Sequence, residues 1–223
     1  MKKYYLNQNN DIILKKVEYI YNLIFMKKGF TLIELLIVIA ILAILAGIVI
    51  VALNPAELLK QARDGKRVGD LDNLVAALNL YLTDVNSPNL CSSGSGCLAG
   101  GVCTATTTLK IFNDNSGGSP VVCGIASSTT VINGHGWVDV DFTAVSGGSP
   151  IAMLPLDPLN SSPYLYAYKA TTSPNSAFEI DARLESSKQR GLMANDGGDR
   201  NTCSSYTEET CWYEKGTKSG LNL

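Results

Sequence analysis

Residues 27–53 read KKGFTLIELLIVIAILAILAGIVIVAL, and the meaning of this run governs the rest of the chain. From Leu35 to Leu53 it holds nineteen residues with no charge and only Gly47 as a weak helix former. About 20 apolar residues at about 1.5 Å per residue cross a hydrocarbon core of about 30 Å. A cleaved secretory signal has an apolar region of only about 7 to 15 residues followed by a small-residue cleavage site, so this run is too long for one. A helix this apolar on every face, buried in a soluble domain, needs protein all round it, and the remaining chain is too polar to supply that. The run predicts a membrane-compatible helix. Charge counting leaves its orientation open, because Lys27 and Lys28 precede the span while Lys60, Arg63, Lys66 and Arg67 come after it.

Glu34 stands at the edge of this run and is the one ionisable side chain between Lys28 and Glu57. A carboxylate near the middle of a membrane helix costs about 2.5 to 3.5 kcal/mol on insertion scales, so an intramembrane Glu points to function. No Lys or Arg succeeds it within the apolar run, and within one chain only Lys27 and Lys28 are near. The stretch KKGFTLIELLIVIAILAILA resembles, densely over about twenty residues, the N-terminal signal of type IV pilins and type II secretion pseudopilins.

That resemblance implies cleavage by a prepilin peptidase between Gly29 and Phe30 and methylation of the new amino group on Phe30. Cleavage would create a cation at Phe30, and the i,i+4 spacing to Glu34 puts both on one helix face. In filaments of the family the carboxylate is thought to pair with the terminal amine of a neighbouring subunit. Such a pair sets register more than it adds stability, because desolvation offsets the Coulomb gain. The alternatives are an interfacial Glu34 that reaches back to water and a Gly29 that only eases the chain into the helix. The implied partners are the prepilin peptidase, identical and related pilin subunits in a helical homopolymer, and an inner-membrane assembly platform with its ATPase. Membrane lipid surrounds the subunit before assembly. The implied location is the inner membrane for a single-pass precursor, then an extracytoplasmic filament in the periplasm or at the cell surface.

The first 25 residues, MKKYYLNQNNDIILKKVEYIYNLIF, are rich in Asn and Tyr and differ in composition from the apolar run. Met26-Lys27-Lys28-Gly29 by itself makes a short pilin-type leader, so translation is expected to start at Met26, with a 29-residue leader as the rival. Removing residues 1–29 takes away six lysines and two acids and leaves 12 Lys+Arg against 18 Asp+Glu, a side-chain charge of -6. Over all 223 residues the formal net charge is -2, which offers no electrostatic footprint for nucleic acid, and 46% hydrophobic content excludes a disordered chain. The length suits one domain plus an anchor.

After the apolar run, Asn54-Pro55 should bend the helix or restart it. Beyond it Val68, Leu71, Val75, Leu78, Leu82 and Val85 recur at helical spacing, while Asp64, Lys66, Arg67, Asp70, Asp72 and Asn79 are expected elsewhere on the wheel. A coiled-coil seam is the alternative for this stripe. Asn86-Ser87-Pro88-Asn89 ends the helix. Composition then turns to Gly, Ser, Thr and Cys, with short strands expected at 121–125 and 129–132. Gly136 to Phe142 alternates apolar and acidic residues, as a half-buried strand or a looser segment anchored by Trp137. Tyr164, Tyr166 and Tyr168 and then Phe178, Ile180, Ala182 and Leu184 alternate with other residues about a turn at Ser173-Pro174-Asn175, which predicts an antiparallel hairpin with one face on the helix.

Upstream, Leu154-Pro155-Leu156-Asp157-Pro158-Leu159-Asn160 resembles the segment before the sheet of major pseudopilins, although Leu159 stands where many members carry Trp. The fold class expected is α+β: a long N-terminal helix, apolar then amphipathic, packed on a small antiparallel sheet with a Cys-bearing loop-rich insertion. The organisation expected is a leader at 1–29, a membrane or filament-core helix at 30–53, an amphipathic helix at 54–86 and a globular domain at 87–223. Within that domain 87–150 is the variable insertion, and 151–223 holds the sheet and a C-terminal loop.

Six cysteines in an exported domain suggest disulfides. Cys203 and Cys211 are near only each other in sequence and are expected to pair. Cys91, Cys97, Cys103 and Cys123 then allow three connectivities. A zinc site is disfavoured, since the spacings lack a short knuckle and His135, in a Gly-flanked turn, is the sole histidine. Asn195, Asp196 and Asp199 cluster oxygen atoms on a Gly-rich loop without EF-hand spacing. Major pseudopilins bind calcium at a comparable place, so the resemblance implies a structural Ca2+ there; no other cofactor is expected. No G-x-S-x-G, H-E-x-x-H or P-loop is present, and a membrane-tethered hydrolase is the off-class alternative to a structural subunit. The major pseudopilin reading rests on the LPLDP segment and the calcium loop. The rival, a surface type IV pilin, rests on the Cys-, Ser-, Thr- and Gly-rich insertion.

Overall fold

The computed structural model describes residues 13–21, 29–97, 101–107, 109–113, 120–171, 176–198 and 211–217. The chain divides into two units, Met1–Leu53 and Asn54–Leu223.

In the first unit, α1 (Leu32–Leu53) is a 22-residue helix in which no residue is buried. Its length, about 33 Å at the usual rise, and its composition suit a membrane crossing.

In the second unit, α2 (Pro55–Asp84) starts at Asn54, which adopts a left-handed φ of 42° and accepts a hydrogen bond from the Glu57 amide through its side chain. Asn tolerates that conformation, and Pro55 behind it loses nothing by lacking an N–H in the first turn. The helix therefore restarts at Asn54-Pro55. It ends at Val85, whose backbone is extended.

Leu71, Leu74 and Leu78 of α2 are wholly buried, together with Ala77 and Tyr81, while Val68, Val75, Leu82 and Val85 flank them half-buried. Fully burying each leucine contributes about 1.5 to 3 kcal/mol. They pack on a five-stranded sheet in the order β4-β1-β5-β6-β7, formed by β1 (Val102–Cys103), β4 (Ile125–Ala126), β5 (Tyr166–Thr171), β6 (Ala177–Ala182) and β7 (Tyr213–Gly216). The α+β fold with a Cys-bearing, loop-rich region is thus present. The sheet is mixed, because β1 runs parallel to β4 while every other pair is antiparallel. A second, two-stranded sheet joins β2 (Lys110–Asn113) to β3 (Pro120–Val122).

The β5–β6 hairpin has Tyr168 opposite Ile180 and Tyr166 opposite Ala182, and these residues line the α2 face. Its expected turn, 173–175, lies outside the described residues, and Tyr164 precedes β5 in an isolated bridge to Ser161. The expected strand at 129–132 is irregular, and the one at 121–125 is divided between β3 and β4.

The segment from Gly136 to Phe142 is not a strand. It is an irregular, deeply buried segment with Trp137 at its centre, and Trp137 Nε1 donates to the Pro155 carbonyl at 2.8 Å. Asp139 draws it away from a ladder by accepting from the Ser93 and Gly96 amides at 2.6 and 2.9 Å. A side chain at Gly136 would overlap the Val131 carbonyl and Leu154, so only glycine lets these backbones meet.

The far face of the sheet also departs from expectation, because alternation there does not mean exposure. Lys169, Glu179, Asp181, Arg183 and Glu214 are all buried beside a second apolar cluster of Cys103, Ile111, Leu165, Ala167 and Trp212. Lys169 stands opposite Glu179 in the register, and the Arg183 guanidinium lies over the Trp212 ring at 5.7 Å. Cross-strand charge pairing and cation–π contact are what make such burial tolerable.

Candidate functional site

At Gly29, the residue after which cleavage is expected, no atom lies within 4 Å of the place a Cβ would occupy. The fold of this chain therefore does not require glycine there, and any demand for it comes from a partner that binds the segment. Phe30 is 78% exposed. Thr31 caps α1: its Oγ1 accepts the Glu34 amide at 3.2 Å, and its carbonyl accepts the Leu35 amide at 3.2 Å. Glu34 reaches back with Oε2 to the Thr31 amide at 3.5 Å, the long limit of a hydrogen bond. Thr31-x-x-Glu34 is thus a capping box, with a carboxylate at the positive end of the helix dipole. Reading Glu34 only through its charge passes over this local role, although the T-x-x-E spacing signals it.

Every residue of α1 is exposed, including the aliphatic run from Leu35 to Leu53.

Residues 24–50 match the family model described as the prokaryotic N-terminal methylation motif. The chain carries a methylation-motif N-terminus. No curated protein and no solved structure significantly matches the chain. The methylation motif supports a type IV pilin-like precursor, a structural subunit rather than an enzyme, and it implies processing by a prepilin peptidase and pilin-type assembly. With the one helix among the described residues that is long and apolar enough to cross a membrane, it fits a single-pass, membrane-anchored precursor.

The open space at Gly29 makes a sharp prediction possible. Gly29→Phe should leave the helix and domain intact yet abolish processing, so intact-mass measurement of membrane fractions should find only precursor. A mature chain starting at Phe30 from this variant, or a wild-type chain starting elsewhere, would overturn the assignment.

A second constellation sits on α2 and escapes the sequence reading. Asp64 and Arg67 are completely buried rather than turned away from the core. They continue the Leu71-Leu74-Leu78 face backward at spacings of three and four, and that spacing was the available signal. Arg67 holds Asp157 with two hydrogen bonds, Nε to Oδ2 at 2.6 Å and Nη2 to Oδ1 at 3.0 Å. Its Nη1 reaches Asp64 at 2.8 Å and Glu185 at 2.6 Å, and its Cζ lies 5.1 Å from the centroid of the Tyr164 ring. Arg63 adds a two-pronged contact to Glu185 at 2.7 and 2.6 Å.

Asp64 also accepts the Glu185 and Ser186 amides, and Glu57, in the first turn of α2, accepts from Ser186 and Ser187. The LPLDP aspartate, Asp157, and the residues just after β6 are thereby stapled to the first four turns of α2. Burial alone would lower the Arg67 guanidinium, but its three carboxylates more than reverse this and raise it. Burial raises Glu185, yet hydrogen bonds and charge from Arg63 and Arg67 leave its carboxyl below the ordinary value. Charge-assisted, two-pronged bonds of this kind are the strong ones.

The six cysteines divide in part. Cys91 is bonded to Cys97, and Cys103 to Cys123, so among the three connectivities the structure has the sequential one. Cys211 is disulfide-bonded, and Cys203 lies outside the described residues. Non-reducing peptide mapping should recover Cys91–Cys97 and Cys103–Cys123; a Cys91–Cys103 peptide would contradict the fold. Loss of the Cys103–Cys123 bridge, which ties β1 to the chain before β4, should cost about 2 to 4 kcal/mol.

Of the calcium candidates, Asp199 lies outside the described residues. Asn195 turns its amide back to the Gly191 carbonyl at 2.8 Å in α3 (Arg190–Ala194). Asp196 accepts the Gly198 amide at 3.0 Å and the Glu214 amide at 2.8 Å, which point it at β7. Burial pushes its carboxyl upward despite those donors. Glu179, Asp181 and Glu214 bring carboxylate oxygens within 4.8 Å of one another on β6 and β7. His135 is exposed, as a solvated turn residue should be.

Proposed function

We propose that this chain is a structural subunit of a pilus-like filament, made as a membrane-anchored precursor, cleaved after Gly29, methylated at Phe30 and polymerised through α1. The observation that carries the reading is the methylation motif over residues 24–50, most of which falls on α1, a helix whose one charged residue is Glu34 and which no other described residue buries. Within that class we place it as the major pseudopilin of a type II secretion-like system. The support is the LPLDP segment, whose Asp157 grips Arg67 at the base of α2. A structural calcium on the 195–201 loop goes with this reading and uses Asp196 as its described acidic ligand. Unfolding that shifts upward with calcium and back with EGTA supports it, and no shift removes it.

The rival reading, a surface type IV pilin for adhesion, motility or DNA uptake, is favoured by one feature. The region between α2 and β5 is long, has strands of only two to four residues among its described residues, and is stapled by two disulfides, as an exposed filament surface would need. Deleting the gene separates the two. Loss of exported proteins from the medium with surface filaments retained supports the pseudopilin. Loss of surface filaments with secretion retained supports the pilin.

A further inference from the structure

Upstream of the methylation-motif helix, residues 13–21 form a separate helix with all nine residues exposed. Turned at about 100° per residue, Ile13, Leu14, Val17, Ile20 and Tyr21 fall within an arc of about 120°, wide enough to be an apolar stripe. Lys15, Lys16, Glu18 and Tyr19 take the remainder of the circumference. Ile13, Leu14, Val17 and Ile20 each leave between 48% and 65% of their surface open, and no protein among the described residues covers them. An apolar stripe with lysines on the opposite side is the build of a helix that lies in a membrane interface.

Two further observations name the occupant of that stripe. Residues 1–29 carry Lys2, Lys3, Lys15, Lys16, Lys27 and Lys28 against Asp11 and Glu18, a net charge of +4, whereas residues 30–223 carry -6. The net positive balance lies in the segment on the N-terminal side of α1. Only ten residues separate Tyr21 from Leu32, a tether of about 35 Å at most when fully extended. A membrane that holds α1 therefore keeps the 13–21 helix close to its surface.

We propose that residues 13–21 lie flat on the anionic lipid surface on the N-terminal side of α1. Ile13, Leu14, Val17 and Ile20 enter the headgroup–acyl boundary, and Lys15 and Lys16 meet lipid phosphates. In a precursor that carries it, this segment is a second, peripheral membrane anchor, lost when the chain is cleaved after Gly29. The proposal rests on the membrane-anchored reading of α1. Weak apolar insertion by a short helix needs a polybasic partner to hold, which is why the lipid is anionic.

The test uses full-length precursor carrying Val17→Trp, reconstituted into phosphatidylcholine vesicles with brominated acyl chains, with and without phosphatidylglycerol. Trp137 and Trp212 are completely buried and supply a background that bromine does not reach. Leu45→Trp is the control within α1. Strong quenching of the Val17→Trp signal is expected with phosphatidylglycerol. It should be lost in phosphatidylcholine alone and in the Lys15→Glu/Lys16→Glu background, while the Leu45→Trp signal is quenched throughout. An unquenched Val17→Trp beside a quenched control overturns the proposal and spares the anchor, and would leave a protein as the occupant. Equal quenching with and without anionic lipid overturns the electrostatic assignment. An unquenched control removes the membrane-anchor reading and this proposal with it.

Discussion

Precursor carrying Glu34→Gln is expected to insert and to be cleaved after Gly29 as efficiently as the natural chain, yet to form filaments at less than about a tenth of the normal yield. The capping box explains why Gln is the informative substitution. Either Glu or Gln can close the reciprocal contact with Thr31, so the start of α1 is retained and only the charge is lost. If assembly requires Glu34 to balance the methylated amine of Phe30 on a neighbouring subunit, the amide leaves that ammonium unpaired among apolar helices. Leaving a buried charge unpaired costs several kcal/mol, enough to defeat polymerisation. Glu34→Ala removes cap and charge together and should be at least as severe. Electron microscopy of sheared fractions decides the matter, with the amino terminus checked by mass. Abundant filaments from the Gln variant would make Glu34 a capping residue and nothing more.

Arg67→Met is expected to give the largest loss of stability of any single substitution in the globular domain. It strands Asp64, Asp157 and Glu185, all nearly inaccessible to water, around an apolar side chain. Breaking a buried ionic cluster in this way costs about 3 to 5 kcal/mol, and for a domain of this size that lowers Tm by roughly 10 °C. Arg67→Lys should rescue little, since a single ammonium cannot make the two-pronged contact to Asp157 and also reach Asp64 and Glu185. The measurement is thermal unfolding of the full-length protein in detergent, monitored through the buried Trp137 and Trp212.

The pH dependence has a definite sign. Glu185 is held below its ordinary value in the folded chain, so its contribution is complete above the ordinary carboxylate range and disappears as pH falls through the lowered value. Natural protein therefore loses stability on acidification. The Arg67→Met variant gains relief there, because stranded carboxylates can take up protons, and the difference in Tm between the two should narrow from about pH 7 toward about pH 4. A difference independent of pH would show that Arg67 acts by packing rather than by charge.

How much of this was legible in the sequence differs sharply between the two units. The apolar helix and the methylation motif over residues 24–50 were legible, because a run of uniform apolarity and a contiguous signal are local properties that need no partner. The β5–β6 hairpin was legible as well, since its inner face keeps a period of two. The expected strand at 136–142 failed because Asp139 finds backbone donors in the loop around Cys91–Cys97, a choice no local pattern records. Strands β1 and β4, two residues each, are too short to carry a period.

What the amino-acid sequence by itself determined, then, was the apolar helix, the methylation motif at its start and the stripe that sets α2 on a sheet. What only the tertiary structure decided was which charges lie inside. Asp64 and Arg67 read as solvent-facing residues of a helix until Asp157 and Glu185 arrive from 90 and 118 residues further along the chain to neutralise Arg67. Lys169 and Glu179 read as the wet side of a hairpin until the far face of the sheet is covered. The physical reason is the same in both cases: a charge can be buried only where its partners converge, and convergence over such separations is a property of the folded chain.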